Sequence, residues 1–356
     1  MRTVNELLKG MLEEKGSDLH LMTGQAPRIR VHGELEPIEG EPVSEKAMLR
    51  MLKQICPPHR WEEYLQTRDI DFAYEIPGLA RFRCNYLFDY SGMAAVLRQI
   101  PSRILSMEDL KLPDVLRRIC EYQHGLVLVT GPTGSGKSTT MAAMIDYINR
   151  NFRKHIITIE DPIEFVHQDR NSIIIHREVG EHSRSFAEAL RSATRGDPDI
   201  VLVGEMRELE TIRLALNCAA MGMLVFGTLH TNSAPKTIER IINVFPHGQQ
   251  EQIRMLLSEG LKGVIAQNLL RRTGGGRVAA LEVMVGTPAV NNLIRENKVF
   301  MIKSSIQTGK SLGMQTMDQS LLDLVQRRLV AVEEAMRFAE DKSIFRVERP
   351  GPKGAK

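Results

Sequence analysis

Apolar residues in the first 100 positions follow two different periods. Stretches 2–15, 44–55 and 58–65 place them every three or four residues, which predicts amphipathic helices. Six other stretches are predicted strands, the last three by strict alternation of apolar and polar residues: 19–22, 28–32, 34–38, 70–76, 80–90 and 92–100. Short turns join successive strands, so we expect an α+β domain with an antiparallel sheet over residues 1–100.

Beyond residue 125 the pattern changes to short apolar runs that alternate with amphipathic stretches. The runs predict buried strands at 126–130, 156–159, 172–175, 200–203, 224–229 and 279–285. The amphipathic stretches predict helices at 137–150, 186–193, 209–221, 235–244, 249–259 and 261–270. Alternation of this kind predicts an α/β core with a largely parallel sheet over 125–287.

Three further segments complete the expected organisation. Residues 101–124 are predicted to be a linker with helices at 106–110 and 113–120. Residues 288–345 show no strand pattern and are predicted to form a subdomain of short helices. The tail 346–356 is rich in proline and glycine, which is typical of disordered chain.

A glycine-rich motif follows the first strand of the core and leads into a helix. Its residues fit the pattern G-x-x-x-x-G-K-[ST] of phosphate-binding loops. They are Gly131, Pro132, Thr133, Gly134, Ser135, Gly136, Lys137 and Ser138, with Thr139 next in the helix. Strand, loop and helix in this order predict a site for ATP.

The residue types in this loop suit a bound nucleotide. Glycines allow successive backbone N–H groups to point towards an anion, and the start of the helix adds its positive dipole end. Lys137 is expected to bring its charge to the β- and γ-phosphates. Ser138 is expected to offer its hydroxyl to Mg²⁺.

Acidic residues follow the strand predicted at 156–159. Glu160, Asp161 and Glu164 come directly after it, at the end of a strand where open α/β sheets bind their ligands. The stretch is compatible with an active-site segment and equally with a solvated acidic loop.

A second acid, Glu205, follows the apolar strand predicted at 200–203. An apolar strand that ends in an acid is typical of the Walker B motif, although Gly204 stands where an aspartate often precedes the glutamate. Glu205 is therefore expected to act alone, either polarising the attacking water or holding Mg²⁺ through a water molecule. The alternative is an ordinary surface glutamate.

His230 follows the strand predicted at 224–229, within the polar stretch His230-Thr231-Asn232. Its position beside the other two stretches favours a role in sensing the nucleotide, while the alternative is a structural histidine. The other histidines of this region, His167, His176 and His182, have no comparable context and are expected at the surface.

Composition excludes several classes of protein. The net charge of +3 argues against nucleic acid as a partner, and no apolar run approaches the ~20 residues that span a bilayer. The four cysteines are far apart in sequence and indicate neither a zinc ribbon nor a disulfide framework. We expect a cytoplasmic protein without direct membrane insertion, which reaches a membrane only through a protein partner.

Longer motifs resemble those of the secretion and pilus motor ATPases, and most closely the type IV pilus retraction ATPases (the PilT family). The similarity extends over essentially the whole chain. Its motifs are GSDLHL at 16–21, RFRCN at 81–85, VTGPTGSGKSTT around the loop, TIEDPIEFVH at 158–167, DPDIVLVGEMRELET around Glu205 and GTLHTNSAPKTIERIINVFP at 227–246.

The resemblance implies a fold and a set of roles. The N-terminal domain would be PAS-like, and a RecA-like ATPase domain with a C-terminal helical subdomain would follow it. Glu205 would be the catalytic glutamate, Glu164 would help to set up hydrolysis, and His230 would lie near the γ-phosphate. Three arginines of the N-terminal domain would complete the site when the ring closes: Arg81, Arg83 and Arg98.

It also implies partners and a setting. The chain would form a homohexamer in the cytoplasm, peripheral at the inner membrane, where it would act on a platform protein of the pilus machinery. Departures from the family pattern include Met223 in place of a histidine, Asn291 in place of an arginine and Gly196 in place of the usual polar residue before Asp197. Because of these departures, an accessory or inactive regulatory paralogue is one alternative to a retraction motor. A nucleic-acid translocase is another, because RecA-like rings also pump DNA.

Overall fold

The computed structural model describes residues 2–31, 33–38, 40–100 and 103–345, which form two compact units. The first comprises the chain up to Arg103 together with the segment Asp161–Val166. The second comprises Ile104–Glu160 and the chain from His167 onward. The tail predicted at 346–356 lies outside the described residues.

The first unit is built on a six-stranded sheet with the order β3-β2-β1-β6-β5-β4, in which every neighbouring pair is antiparallel. The strands are β1 Asp18–Met22, β2 Arg28–Val31, β3 Glu34–Pro37, β4 Asp69–Ile76, β5 Ala80–Asp89 and β6 Gly92–Ile100. The helices are α1 Val4–Glu13, α2 Glu45–Ile55 and α3 Pro58–Thr67. The predicted antiparallel α+β domain is confirmed.

Alternation along these strands separates an apolar face from a polar one. Phe82, Cys84 and Tyr86 on β5 are fully buried in the core of this unit. The side chains between them point to the other face, where Arg83 stands directly opposite Arg98 of β6.

The second unit contains a seven-stranded sheet with the order β13-β12-β7-β11-β10-β8-β9. Neighbouring strands are parallel except β12 and β13, which are antiparallel. The strands are β7 Gly125–Thr130, β8 His155–Glu160, β9 Ile173–Glu178, β10 Ile200–Val203, β11 Leu224–Leu229, β12 Leu261–Arg271 and β13 Arg277–Val285. The prediction of a largely parallel sheet is confirmed.

One helix, α4, precedes these strands, and the other helices of the unit lie between and after them. They are α4 Val115–Cys120, α5 Lys137–Asn151, α6 Phe186–Ala193, α7 Leu209–Ala220, α8 Ala234–Asn243, α9 His247–Gly260, α10 Pro288–Arg295, α11 Ile302–Thr308, α12 Met317–Gln326 and α13 Val332–Met336. No helix within the described ranges is long and apolar enough to cross a membrane.

The predicted helix at 261–270 is wrong, because this stretch forms strand β12. β12 lies between β7, to which it is parallel, and β13, to which it is antiparallel. Its side chains on both faces are buried, so its apolar residues show no alternation. A continuous apolar run of this kind fits a buried helix as well as a buried strand.

The predicted linker also differs from the structure. Residues 106–110 form a turn rather than a helix. Farther along, Leu116 and Ile119 of α4 lie in the hydrophobic core of the second unit, so this part of the chain packs as a component of that unit.

The sheet of the second unit brings the predicted site segments to one edge. β7 pairs with β11, β11 with β10, and β10 with β8, all in parallel. The register sets Thr130 beside Leu229, and Val203 beside Ile159. The carboxyl ends of the four strands therefore lie side by side, where α/β sheets bind ligands.

Candidate functional site

The glycine-rich loop connects β7 to α5 in a conformation that needs glycine. Gly131, Gly134 and Gly136 have positive φ angles of 147°, 77° and 87°. Gly136 is the N-cap residue of α5, so the backbone turns directly from the loop into the helix. Backbone N–H groups at a helix start form an anion-binding site, as the sequence predicts.

Lys137 is the first residue of α5 and is half-buried. Its ammonium group donates hydrogen bonds to the carbonyl oxygens of Gly131, at 3.0 Å, and Pro132, at 3.2 Å. The side chain therefore extends back over the loop that precedes it. This position places the positive charge where the loop would receive a phosphate.

Strand β12 contributes a residue that the sequence did not indicate. Gln267 is buried, its amide nitrogen donates to the carbonyl of Ser135 at 2.6 Å, and its amide oxygen accepts from the hydroxyl of Thr140 at 2.8 Å. A helix at 261–270, as the sequence pattern predicts, would not place this residue beside the loop. A polar pair, Gln267-Asn268, within an otherwise apolar run was the available signal.

Glu205 and His230 come together at the ends of β10 and β11. The imidazole Nε2 of His230 lies 2.6 Å from the carboxylate Oε1 of Glu205, and the guanidinium of Arg207 donates to the same oxygen. The side chain of Glu205 is 23% exposed and that of His230 is 40% exposed. The carboxylate thus faces solvent between two nitrogen groups and is accessible to a water molecule.

The backbone around Glu205 is held by the two neighbouring strands. The N–H of Gly204 donates to the carbonyl of Ile159 at 2.7 Å. A Cβ atom at Gly204 would lie 3.2 Å from the Cα of Glu160, which is a tight contact with backbone. Close packing against β8 explains why glycine stands before Glu205.

Glu164 lies in the segment Asp161–Val166, which belongs to the first unit, and it is half-buried. Glu160, the last residue of β8, stays with the second unit. The acids that sequence reasoning placed in one group are therefore divided between the two units.

The expectation that His167 lies at the surface is wrong. His167 is buried, and its ring stacks on that of His176 with 5.9 Å between the centroids. His176 is half-buried and bonds through Nδ1 to the hydroxyl of Thr158, at 2.9 Å, and through Nε2 to the backbone N–H of His167, at 3.1 Å. Burial, and secondarily the neighbouring His176, lowers the pKa of His167 to about 4.

His182 behaves as expected for a surface residue. It is exposed, and its Nδ1 accepts a hydrogen bond from the N–H of Glu178 at 3.0 Å. The stacked pair His167 and His176 could not be predicted from local sequence, because its contacts join residues of two separate strands and a loop.

The three arginines of the first unit are each paired with an acid on the polar face of the sheet. Arg98 bonds Asp18 at 2.7 Å, Arg83 lies 3.5 Å from Asp71, and Arg81 lies 3.9 Å from Glu75. Burial opposes ionisation of Asp18, but hydrogen bonds from Ser17 and Arg98 outweigh it and lower its pKa. The arginine side chains thus share one face and are kept in place by salt bridges.

The donor set fits a magnesium ion that a nucleotide brings with it. Among the described residues, no three side chains of His, Cys, Asp or Glu come together to hold a metal. Mg²⁺ is commonly bound by one or two protein groups together with phosphate oxygens and water. Ser138, half-buried in the first turn of α5, and Glu205 through a water molecule match that requirement.

Comparisons with known proteins give a consistent result. The family model described as "Type II/IV secretion system protein" matches residues 1–337. The type IV pilus retraction ATPase PilT of Pseudomonas aeruginosa is 51% identical over 337 residues, which are 95% of this chain and 98% of that protein. A twitching motility protein of Neisseria gonorrhoeae is 54% identical over 316 residues, 88% of this chain and 84% of that protein.

A solved structure supports the same conclusion. The crystal structure of the pilus retraction motor PilT with bound ADP superposes with a TM-score of 0.89 at 43% sequence identity. The superposition covers 97% of this chain and 99% of that chain. The expected fold class, an antiparallel N-terminal domain followed by an ATPase core with helices, is confirmed.

Proposed function

This chain belongs to the family of type II/IV secretion system proteins, and we propose that it is the ATPase motor that retracts type IV pili. One observation carries the proposal. In a chain 51% identical to a pilus retraction ATPase, the loop after β7 and the contacting pair Glu205 and His230 lie at adjacent strand ends. This is the arrangement that ATP hydrolysis requires.

The loop residues Gly131 to Thr139 bind the phosphates in this proposal. Their backbone N–H groups surround the anion, and Lys137 neutralises charge on the β- and γ-phosphates. Mg²⁺, when bound with ATP, neutralises charge that develops on the phosphate oxygens. Ser138 provides one of its ligands.

Glu205 and His230 act on the side of the γ-phosphate. The half-buried carboxylate of Glu205 orients and polarises the attacking water. His230 keeps that carboxylate in position through its contact at 2.6 Å and detects the γ-phosphate.

Glu164 and the arginines complete the site in a further step. Arg81, Arg83 and Arg98 are proposed to reach the phosphates when the N-terminal domain closes, because positive charge at the γ-phosphate stabilises the transition state. Glu164 lies on the segment that is grouped with the same unit and is proposed to help set up hydrolysis.

The assembly and its setting follow from the family. We propose a homohexameric ring in the cytoplasm at the inner membrane, without direct membrane insertion. Domain closure around ATP in successive subunits would move a platform protein of the pilus machinery, and pilus subunits would be released at its base.

Met223, one of the departures from the family pattern, is separated from the residues proposed to act in hydrolysis. Met223 precedes β11, is buried, and accepts a hydrogen bond from the N–H of Gly125 at 3.0 Å. It lies at the amino end of the strand whose carboxyl end leads to His230. Because the whole strand separates the two positions, methionine at 223 is compatible with an active motor rather than a regulatory paralogue.

Complementation tests the proposal directly. A bacterium that lacks its own retraction ATPase should recover twitching motility when it expresses this chain, but not Lys137→Ala or Glu205→Gln. A wild-type chain that is expressed, hydrolyses ATP and leaves motility absent would overturn the role in retraction.

A second assay separates the motor from a nucleic-acid translocase. Hydrolysis of ATP by the purified protein should be unchanged when single-stranded DNA is added. Stimulation that disappears with increasing salt would favour the translocase instead.

A further inference from the structure

Strand β12 passes directly beside the phosphate-binding loop. In the register of the sheet, Ala266 pairs with Thr130, the last residue of β7, so the next residue, Gln267, lies level with the start of the loop. Gln267 is only 2% exposed. A buried primary amide must satisfy both its donor and its acceptor groups, or it destabilises the fold.

The donor and the acceptor of this amide both form hydrogen bonds with the segment that contains the phosphate-binding loop and the start of α5. The donor reaches the carbonyl of Ser135 at 2.6 Å, two residues before Lys137. The acceptor receives the hydroxyl hydrogen of Thr140 at 2.8 Å, three residues after Lys137. One side chain therefore connects the loop with the first turn of α5, on either side of Lys137.

The position of Gln267 also explains why two residues of the loop are glycines. A Cβ atom at Gly131 would lie 2.3 Å from the backbone oxygen of Gln267, and one at Gly136 would lie 2.8 Å from its amide nitrogen. Distances this short exclude a side chain unless the backbone or the amide moves. The loop and β12 are therefore in contact through backbone as well as side chain.

We propose that Gln267 is a positioning residue for nucleotide binding. It keeps the backbone N–H groups of the loop in their anion-binding arrangement through Ser135 and Thr140, without contacting the nucleotide itself. The inference rests on the proposed nucleotide site and adds to it a residue that lies 127 positions from Thr140 in the sequence.

The test is the affinity for ADP in the presence of Mg²⁺, measured by calorimetric titration of the full chain. Gln267→Met keeps a similar volume but removes both hydrogen bonds, so the dissociation constant should rise by about tenfold or more. In steady-state hydrolysis the same variant should raise KM for ATP more than it lowers kcat, because the catalytic carboxylate is untouched.

Gln315→Met is the matched control. The amide of Gln315 also donates to a backbone carbonyl, that of Leu281 at 2.8 Å on β13. Leu281 stands opposite Gln267 in the sheet, so this variant changes the neighbouring strand while it keeps both hydrogen bonds of Gln267 to the loop and to α5. This variant should bind ADP within about twofold of the wild type, since it removes a comparable hydrogen bond elsewhere. Equal weakening in both variants would overturn the positioning role.

Thr140→Val supplies a second, milder variant in case Gln267→Met does not fold. It removes only the hydroxyl that donates to Gln267, so a rise of about threefold in the dissociation constant is expected. The double variant should be no weaker than Gln267→Met alone, because the two residues act as one unit. Additive losses, or Thr140→Val with unchanged affinity, would contradict the proposal.

The outcomes distinguish this inference from the proposed function. If the wild type itself does not bind ADP, the nucleotide site is wrong. If the wild type binds ADP and Gln267→Met binds it equally well, only the role of Gln267 is wrong.

Discussion

The two halves of the candidate site are built in opposite ways. The phosphate-binding half has a buried support, because Gln267 joins the loop to α5 beneath Lys137. The hydrolytic half is more open to solvent, since the side chain of Glu205 is 23% exposed and its carboxylate oxygen contacts the solvent-facing side chains of His230 and Arg207.

This difference suggests that binding and hydrolysis depend on different properties of the fold. A loop that hydrogen bonds tie to a buried amide is restrained in shape before an anion binds. Exposed charged side chains can exchange partners at little cost in stability, because each contact is screened by water. Substitutions in the first half should therefore affect affinity, and substitutions in the second should affect turnover.

The largest effect is expected for Lys137→Ala. Loss of the charge that faces the phosphates should weaken ADP binding by about a hundredfold or more and make hydrolysis undetectable. Titration of ADP and a phosphate-release assay measure the two quantities. Lys46→Ala, an exposed position on α2, is the control and should match the wild type. If Lys137→Ala bound ADP as tightly as the wild type, the loop would not be the part of the site that determines affinity.

Glu205→Gln should separate hydrolysis from nucleotide binding most clearly. The amide keeps the shape of the carboxylate but is a much poorer base, so kcat should fall by about a thousandfold. The dissociation constant for ADP should stay within about threefold of the wild type. Glu208→Gln, at an exposed glutamate three residues farther on, should leave both values unchanged. Wild-type turnover in Glu205→Gln would show that another group activates the water.

His230→Ala should have a smaller effect of the same kind. It removes the group that lies 2.6 Å from Glu205 and leaves Arg207 on the same oxygen, so kcat should fall by about a hundredfold. Affinity for ADP should again be nearly unchanged. A loss of affinity as large as that of Lys137→Ala would place His230 in the binding half.

The smallest effect concerns His167, the buried histidine of the second unit. Because burial lowers the pKa of His167 to about 4, from 6.5 in an unfolded chain, protonation favours unfolding as the pH falls below 6.5. The wild type should lose about 2 kcal/mol of unfolding free energy between pH 7 and pH 5 through this group.

Denaturant unfolding at the two pH values tests this expectation against His167→Leu. The stability advantage of the wild type over the variant should shrink by that amount at pH 5. Parallel pH profiles for the wild type and His167→Leu would contradict the assignment.

Local patterns in the sequence predicted the parts of the site that follow strands directly. The loop after β7, Glu205 after β10 and His230 after β11 each come at the carboxyl end of a recognisable apolar run. Their convergence follows from the parallel arrangement of the strands, so a shared place at one edge of the sheet could be anticipated, although the direct contact between Glu205 and His230 was not predicted.

Gln267 and the histidine pair could not be anticipated in the same way. β12 is buried on both faces, so its period does not distinguish strand from helix. The hydrogen bonds of Gln267 join residues that are 127 and 132 positions apart, and no local pattern records such a pairing. The pKa of His167 likewise depends on burial that only the packed fold produces.

The contact of Gly131 with β12 has a consequence for protein engineering. A Cβ at this position would meet the backbone oxygen of Gln267, which no substitution at position 267 can remove. Grafting the loop sequence onto another scaffold would therefore transfer an incomplete module, unless the recipient supplies a strand that passes the loop with its carbonyl at the same place. The smallest transplantable nucleotide site in this protein is discontinuous, made of one segment near residue 135 and another near residue 267.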